Sequence, residues 1–95
     1  MTIFVVDDDE KILKVLVAYL MKEGYSAETA TEGWAAVQQI QERKPDIVVL
    51  DPMLPGLDGL GVCREIRRNS NVPIIMLTAR KLGNRSGYWL RARSR

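Results

Sequence analysis

Two adjacent aspartates, Asp7 and Asp8, follow the apolar run Ile3-Phe4-Val5-Val6, and a third, Asp51, follows Ile47-Val48-Val49-Leu50. Thr78 follows a similar run, Ile74-Ile75-Met76-Leu77. Each polar residue thus stands at the carboxyl end of a short apolar segment. Carboxylates held together repel one another, which raises the pKa of at least one. A hard divalent cation removes the conflict. Magnesium takes oxygen ligands in octahedral geometry, is held by one or two carboxylates, and keeps waters or phosphate oxygens in its other positions. A carboxylate beside such an ion can attack phosphorus and form an aspartyl phosphate. The ion then neutralises charge on the transferring group while hydroxyl and amide donors hold its other oxygens, and Thr78 is a suitable hydroxyl. Each residue alone has a plainer reading as a turn, a strand end or a helix cap, and Asp9 is read as an N-cap. Their convergence on one rim is what would make them a site.

The elements between them supply that rim. Thr2 to Val6 forms a β-rich run. From Glu10 to Glu23 apolar residues recur at Ile12, Leu13, Leu16, Tyr19 and Leu20, the spacing of one helical face, and Gly24 follows as a left-handed stop. Tyr25–Thr29 is a short strand. Thr31 is expected to cap a helix with Trp34, Val37 and Ile40 inward, ending near Arg43 because Pro45 disfavours helical geometry at Lys44. Asp46–Leu50 is a continuous apolar strand, the type covered on both faces of a parallel sheet. Pro52 to Gly59, with two prolines and two glycines, is a loop. Leu60 to Arg68 returns to helical spacing with Val62, Cys63 and Ile66 inward, and Pro73 to Leu77 is a second buried strand. The alternation βαβαβαβ implies a doubly wound parallel α/β sheet with helices on both faces. Such sheets bind ligands outside the carboxyl ends of their strands, at the point where strand order switches.

The formal charge of +2 conceals an asymmetry. Up to Ala79 there are twelve acids and eight Lys or Arg, a net charge of −4; from Arg80 to Arg95 there are six basic residues and no acid. The basic balance therefore belongs to the tail and is no nucleic-acid signal for the whole. No apolar run is long enough for a bilayer, the start lacks a secretion signal, and the lone Cys63 fits a reducing cytoplasm. The absence of histidine excludes a Ser-His-Asp triad, and no glycine-rich phosphate loop marks a nucleotide enzyme.

Three stretches, Val5-Val6-Asp7-Asp8-Asp9, Asp46 to Gly59, and Pro73-Ile74-Ile75-Met76-Leu77-Thr78-Ala79-Arg80, resemble the receiver domains of two-component response regulators. The wording of the loop and of Leu77-Thr78-Ala79-Arg80 is most similar to the branch whose receivers precede a winged-helix DNA-binding domain. The resemblance covers Met1 to about Arg80. It implies a flavodoxin-like fold and phosphoryl transfer from a sensor histidine kinase to Asp51. Mg2+ would be bound by Asp8 directly, Asp7 through water, Asp51, and the backbone carbonyl of Met53. Thr78 would be the switch residue on the phosphoryl oxygen, with the Ala79 amide beside it, and Pro55 and Gly59 would shape the loop. Pro52 departs from the usual residue and removes an amide next to the acceptor. The family implies no enzyme beyond self-phosphorylation and slow autodephosphorylation. An aspartyl-nucleophile phosphatase is disfavoured because Met53 stands where a second acid would be.

After Arg80 the resemblance stops. The family's fourth helix, its fifth strand with a Lys-Pro end, and its fifth helix have no counterpart, and Lys81 is out of register for that lysine. The expected division is an incomplete receiver, 1–80, and a non-homologous basic tail, 81–95. A one-base shift of a back-translated tail yields an acidic, family-like helix, so a frameshift accounts for the charge break and the lost motif together. The expectation is a strand order of 2-1-3-4 with the fourth strand as an open edge, marginal stability, a lost dimerisation face and little switching output. Contact with DNA would require an effector domain absent from this chain. The alternatives are a non-functional truncated fragment and a basic tail in which Tyr88 and Trp89 among arginines contact nucleic acid.

Overall fold

The computed structural model describes the backbone of residues 1–81 and 88–94 and the side chains of residues 1–77. The elements run β1 (Thr2–Val6), α1 (Glu10–Lys22), β2 (Ser26–Ala30), α2 (Gly33–Arg43), β3 (Ile47–Leu50), α3 (Gly59–Arg67), β4 (Ile74–Lys81) and β5 (Tyr88–Ser94). Four strands are parallel in the expected order β2-β1-β3-β4. The order reverses between β1 and β3, so the chain leaves these neighbours in opposite directions and opens a crevice above their carboxyl ends.

Apolar side chains fill both sides of this sheet unequally. Phe4, Val6, Val48, Leu50, Ile74 and Met76 are buried with Ala36, Val37 and Ile40 of α2 and Val62 and Ile66 of α3. On the other side Ile3 and Val5 pack with Leu13 of α1, joined by the half-buried Leu16, Leu20, Ile47 and Val49. β1 is therefore covered on both faces, as a central parallel strand should be. In β3 and β4 the cover is complete on one face only, since Ile47, Val49, Ile75 and Leu77 are half-buried.

Local chemistry explains where the helices begin and end. Asp9 caps α1, its Oδ1 accepting the N–H groups of Lys11 at 2.9 Å and Ile12 at 3.4 Å, and Gly24 takes the left-handed conformation (φ 92°) just after it. The expected cap at Thr31 is incorrect. The N-cap of α2 is Glu32, without a side-chain bond, and the helix starts at Gly33, whose missing side chain lets it lie against the Leu57 backbone. That start puts Gly33, Ala36, Val37 and Ile40 inward at helical spacing and turns Trp34 out, 56% exposed rather than buried. Tyr19, also expected inward, is 62% exposed, because the inner stripe of α1 is narrower than its apolar content.

The outer edge of the sheet differs from expectation. β4 pairs with β3 only over Ile74–Met76, so its remainder would present unpaired amides and carbonyls. Instead β5 runs antiparallel along it, from Ile75 opposite Ser94 to Lys81 opposite Tyr88. The edge strand is thus β5. β4 extends through Lys81 rather than ending at Thr78-Ala79 because it gains this partner.

Candidate functional site

The β1–β3 and β1–β2 ladders each continue one residue beyond the strands. The Asp51 N–H donates to the Val6 carbonyl at 2.9 Å, and the Asp7 N–H donates to the Ala30 carbonyl at 3.2 Å. Sheet backbone therefore fixes both aspartates at the crevice, with Asp8 next in line. One carboxylate oxygen from each of Asp7, Asp8 and Asp51 lies within 4.8 Å of the others. Asp7 is buried, Asp51 half-buried and Asp8 exposed. Two backbone donors orient the inner pair: the Asp9 N–H reaches Asp7 Oδ1 at 2.9 Å, and the Met53 N–H reaches Asp51 Oδ1 at 2.9 Å.

The electrostatics are those of a site built for a cation. Burial pushes the Asp7 carboxyl up to about 6, the Asp9 N–H opposes the rise, and the charges of Asp51 and Asp8 add to it. Burying an uncompensated carboxylate is costly, and among the described side chains no lysine or arginine contributes to Asp7's environment. The ion pairs Arg43–Glu28 at 3.3 Å and Arg68–Glu65 at 3.5 Å lie away from the rim. Three converging carboxylate oxygens, one of them desolvated, fit a small hard divalent ion.

The loop after Asp51 is held by close backbone approach. A side chain at Gly59 would stand 2.5 Å from Pro52 Cα and 2.8 Å from the Asp51 carbonyl oxygen, and the Gly59 N–H donates to the Pro52 carbonyl at 3.1 Å. Asp58 caps α3 through the Gly61 N–H at 2.8 Å. Leu54 is buried, Gly56 supplies the positive φ of 72°, and Pro55 lines an open cleft of about 680 Å³ with Asp8, Asp9, Glu10, Lys11, Thr31 and Glu32. Pro52 removes an amide that the carboxylate does not use, since Asp51 takes its bond from Met53. The Met53 side chain is 79% exposed. Sequence reasoning missed Gly33 and Leu57, whose backbone contact seats the loop on α2; a glycine two residues after Thr31 was the available signal.

Thr78 and Ala79 lie on β4, beyond Met76, which pairs with Leu50. The strand thus carries them past the level of Asp51; their side chains lie outside the described residues.

The sequence profile of the response regulator receiver domain matches residues 3–86. The chain belongs to this family. The match runs six residues beyond Arg80, farther than the motif resemblance. Among solved structures, the BeF3-activated N-terminal receiver domain of Klebsiella pneumoniae RstA is 36% identical with a TM-score of 0.80, over 87% of this chain and 71% of that one. The N-terminal domain of a response regulator receiver protein from Methanoculleus marisnigri JR1 is 35% identical with a TM-score of 0.79, over 87% and 70%. The N-terminal domain of a response regulator/sensory box/GGDEF protein from Carboxydothermus hydrogenoformans is 31% identical with a TM-score of 0.81, over 88% and 69%. The receiver is a phosphoacceptor module of two-component signalling. Receivers as a family are non-enzymatic, bind Mg2+ at an acidic pocket and interact with histidine kinases or other phosphodonors. No described helix is long and apolar enough to cross a membrane.

Proposed function

We propose that this receiver takes a phosphoryl group from a histidine kinase onto Asp51, with Mg2+ held by Asp7, Asp8, Asp51 and the carbonyl of Met53. The observation that carries the proposal is the approach of the three carboxylates to within 4.8 Å. In the step, the bond between phosphorus and the donor breaks as an Asp51 oxygen bonds to phosphorus, and the donor leaves with its electron pair. The metal, when bound, screens the charge of the three carboxylates and of the incoming phosphoryl oxygens. The Met53 N–H orients the Asp51 carboxylate and the Asp9 N–H orients Asp7. The Thr78 hydroxyl and the Ala79 amide are assigned to the remaining phosphoryl oxygens, and Pro55 and Gly59 to the shape of the loop.

Signalling to DNA is assigned to an effector domain outside this chain, and the place of action to the cytoplasm, in keeping with the single thiol of Cys63. The functional division stays near Arg80, where the charge pattern breaks, and a shift of reading frame is its proposed origin; the nucleotide sequence after the Arg80 codon tests it. Function is tested by incubating the chain with Mg2+ and acetyl phosphate and measuring intact mass. One phosphoryl adduct is expected, dependent on the metal and absent in Asp51→Asn. An adduct that survives in Asp51→Asn would refute the assignment.

A further inference from the structure

The residue that follows the acceptor is a proline, Pro52. Asp51 is tied into the sheet by its N–H, which donates to the Val6 carbonyl at 2.9 Å. Its side chain then closes a small turn over the next two residues, Oδ1 accepting the Met53 N–H at 2.9 Å. An aspartate that bonds the backbone two residues on mimics a β-turn, and proline pre-sets the torsion at the position just after the first residue of such a turn. Pro52 holds that position. Its ring fixes φ at about −65° and biases the residue before it towards extended backbone, the geometry Asp51 needs to prolong β3.

Pro52 is held from its far side as well. Its carbonyl accepts the Gly59 N–H at 3.1 Å, and the start of α3 lies so near that a side chain at Gly59 would stand 2.5 Å from Pro52 Cα. The N–H that proline lacks is not missed, because Asp51 takes its bond from Met53. The Met53 side chain is exposed, so packing does little to hold residue 53 in place and the torsion at Pro52 matters more. A reacting group must be aligned with its target, and small displacements of it cost large factors in rate.

We infer that Pro52 is a positioning residue for phosphoryl transfer: it locks the turn from Asp51 to Met53, so that Oδ1 stays on the Met53 N–H and the Asp51 carboxylate keeps one orientation at the rim. This rests on Asp51 being the acceptor. Pro52 makes no bond to phosphorus and moves no proton. It acts by restricting the backbone between the acceptor and the amide that orients it. A residue with a free φ in its place lets the turn open part of the time, which releases the carboxylate and turns the Met53 N–H to water.

The test uses the full chain and the variants Pro52→Ala, Pro52→Leu and Pro52→Gly, each checked for the parent's cooperative melt in EDTA. Two quantities are measured: the rate of adduct formation with saturating Mg2+ and acetyl phosphate, by intact mass, and the hydrogen-exchange protection of the Met53 amide without phosphodonor. The backbone freedom that proline removes corresponds to a factor of roughly two to five. Pro52→Ala and Pro52→Leu should be slowed by about that factor, alike despite their different volumes, and Pro52→Gly more. Protection of the Met53 amide should drop in the same order, while that of the Asp51 amide, held by Val6, keeps the parent's value. If the glycine variant loses its melt, the alanine and leucine variants carry the comparison. Parental rates in both overturn the inference, as does slowing with Met53 protection unchanged. A leucine variant that matches the parent where alanine does not also overturns it, since volume rather than torsion would then decide. Absence of any adduct in the parent chain would instead remove the Asp51 assignment, on which the amide measurement does not depend.

Discussion

Replacing Asp7 with asparagine should stabilise the metal-free protein and weaken its response to magnesium. The side chain is 6% exposed, and its carboxyl is raised from 3.8 to about 6, first by burial and then by the charges of Asp51 and Asp8. A rise of that size corresponds to about 3 kcal/mol of destabilisation once the group is ionised. The folded state holds its proton more tightly than the unfolded chain. Stability should therefore fall as pH rises from about 4 to about 6, with the penalty complete above that window and absent below it. Asparagine keeps an oxygen for the Asp9 N–H now bonded at 2.9 Å and carries no charge. In EDTA at pH 7.5, Asp7→Asn should melt at least about 10 °C above the parent, and the gap should close as pH is lowered to about 4. With saturating Mg2+ the parent gains stability by binding to its folded state, and the variant gains much less. Thermal melts followed by circular dichroism across pH, with and without metal, measure all of this. A variant that melts at or below the parent in EDTA at pH 7.5, or a gap that does not change between pH 4 and 6, would refute the electrostatic account of the pocket.

Other changes probe the scaffold and the transfer. Gly59→Ala forces a carbon to within 2.5 Å of Pro52 Cα and 2.8 Å of the Asp51 carbonyl oxygen; both are backbone, so the loop must shift, costing about 1–3 kcal/mol and slowing phosphorylation even where the protein remains folded in urea titrations. Asp9→Ala removes the α1 cap and should cost about 1 kcal/mol, with phosphoryl adduct still forming because the Asp9 N–H to Asp7 is backbone. Asp51→Asn should abolish the adduct without unfolding the chain, since asparagine retains an acceptor for the Met53 N–H.

The parallel core was legible because its determinants are local and repeated. Val48 and Leu50, Ile74 and Met76, and the stripe of Leu13, Val37, Ile40, Val62 and Ile66 all announce their burial by spacing. The aspartates were legible because topology alone carries strand ends to a common rim. Trp34 and Thr31 were misread because the start of α2 is decided by a tertiary contact, Gly33 against the Leu57 backbone, that local propensity does not encode. Strand β5 was missed although Leu90-Arg91-Ala92-Arg93 alternates with a period of two. A single short strand has meaning only beside the edge it pairs with, and the unpaired part of β4 supplied that edge.

The central claim is that Asp7, Asp8 and Asp51 share one divalent ion, and binding of Mn2+ followed by the loss of its free-ion paramagnetic resonance signal tests it most directly. One Mn2+ should bind per folded chain, be displaced by Mg2+, and fail to bind Asp8→Asn or Asp51→Asn under the same conditions. Undiminished binding in both variants, or none in the folded parent chain, would contradict it.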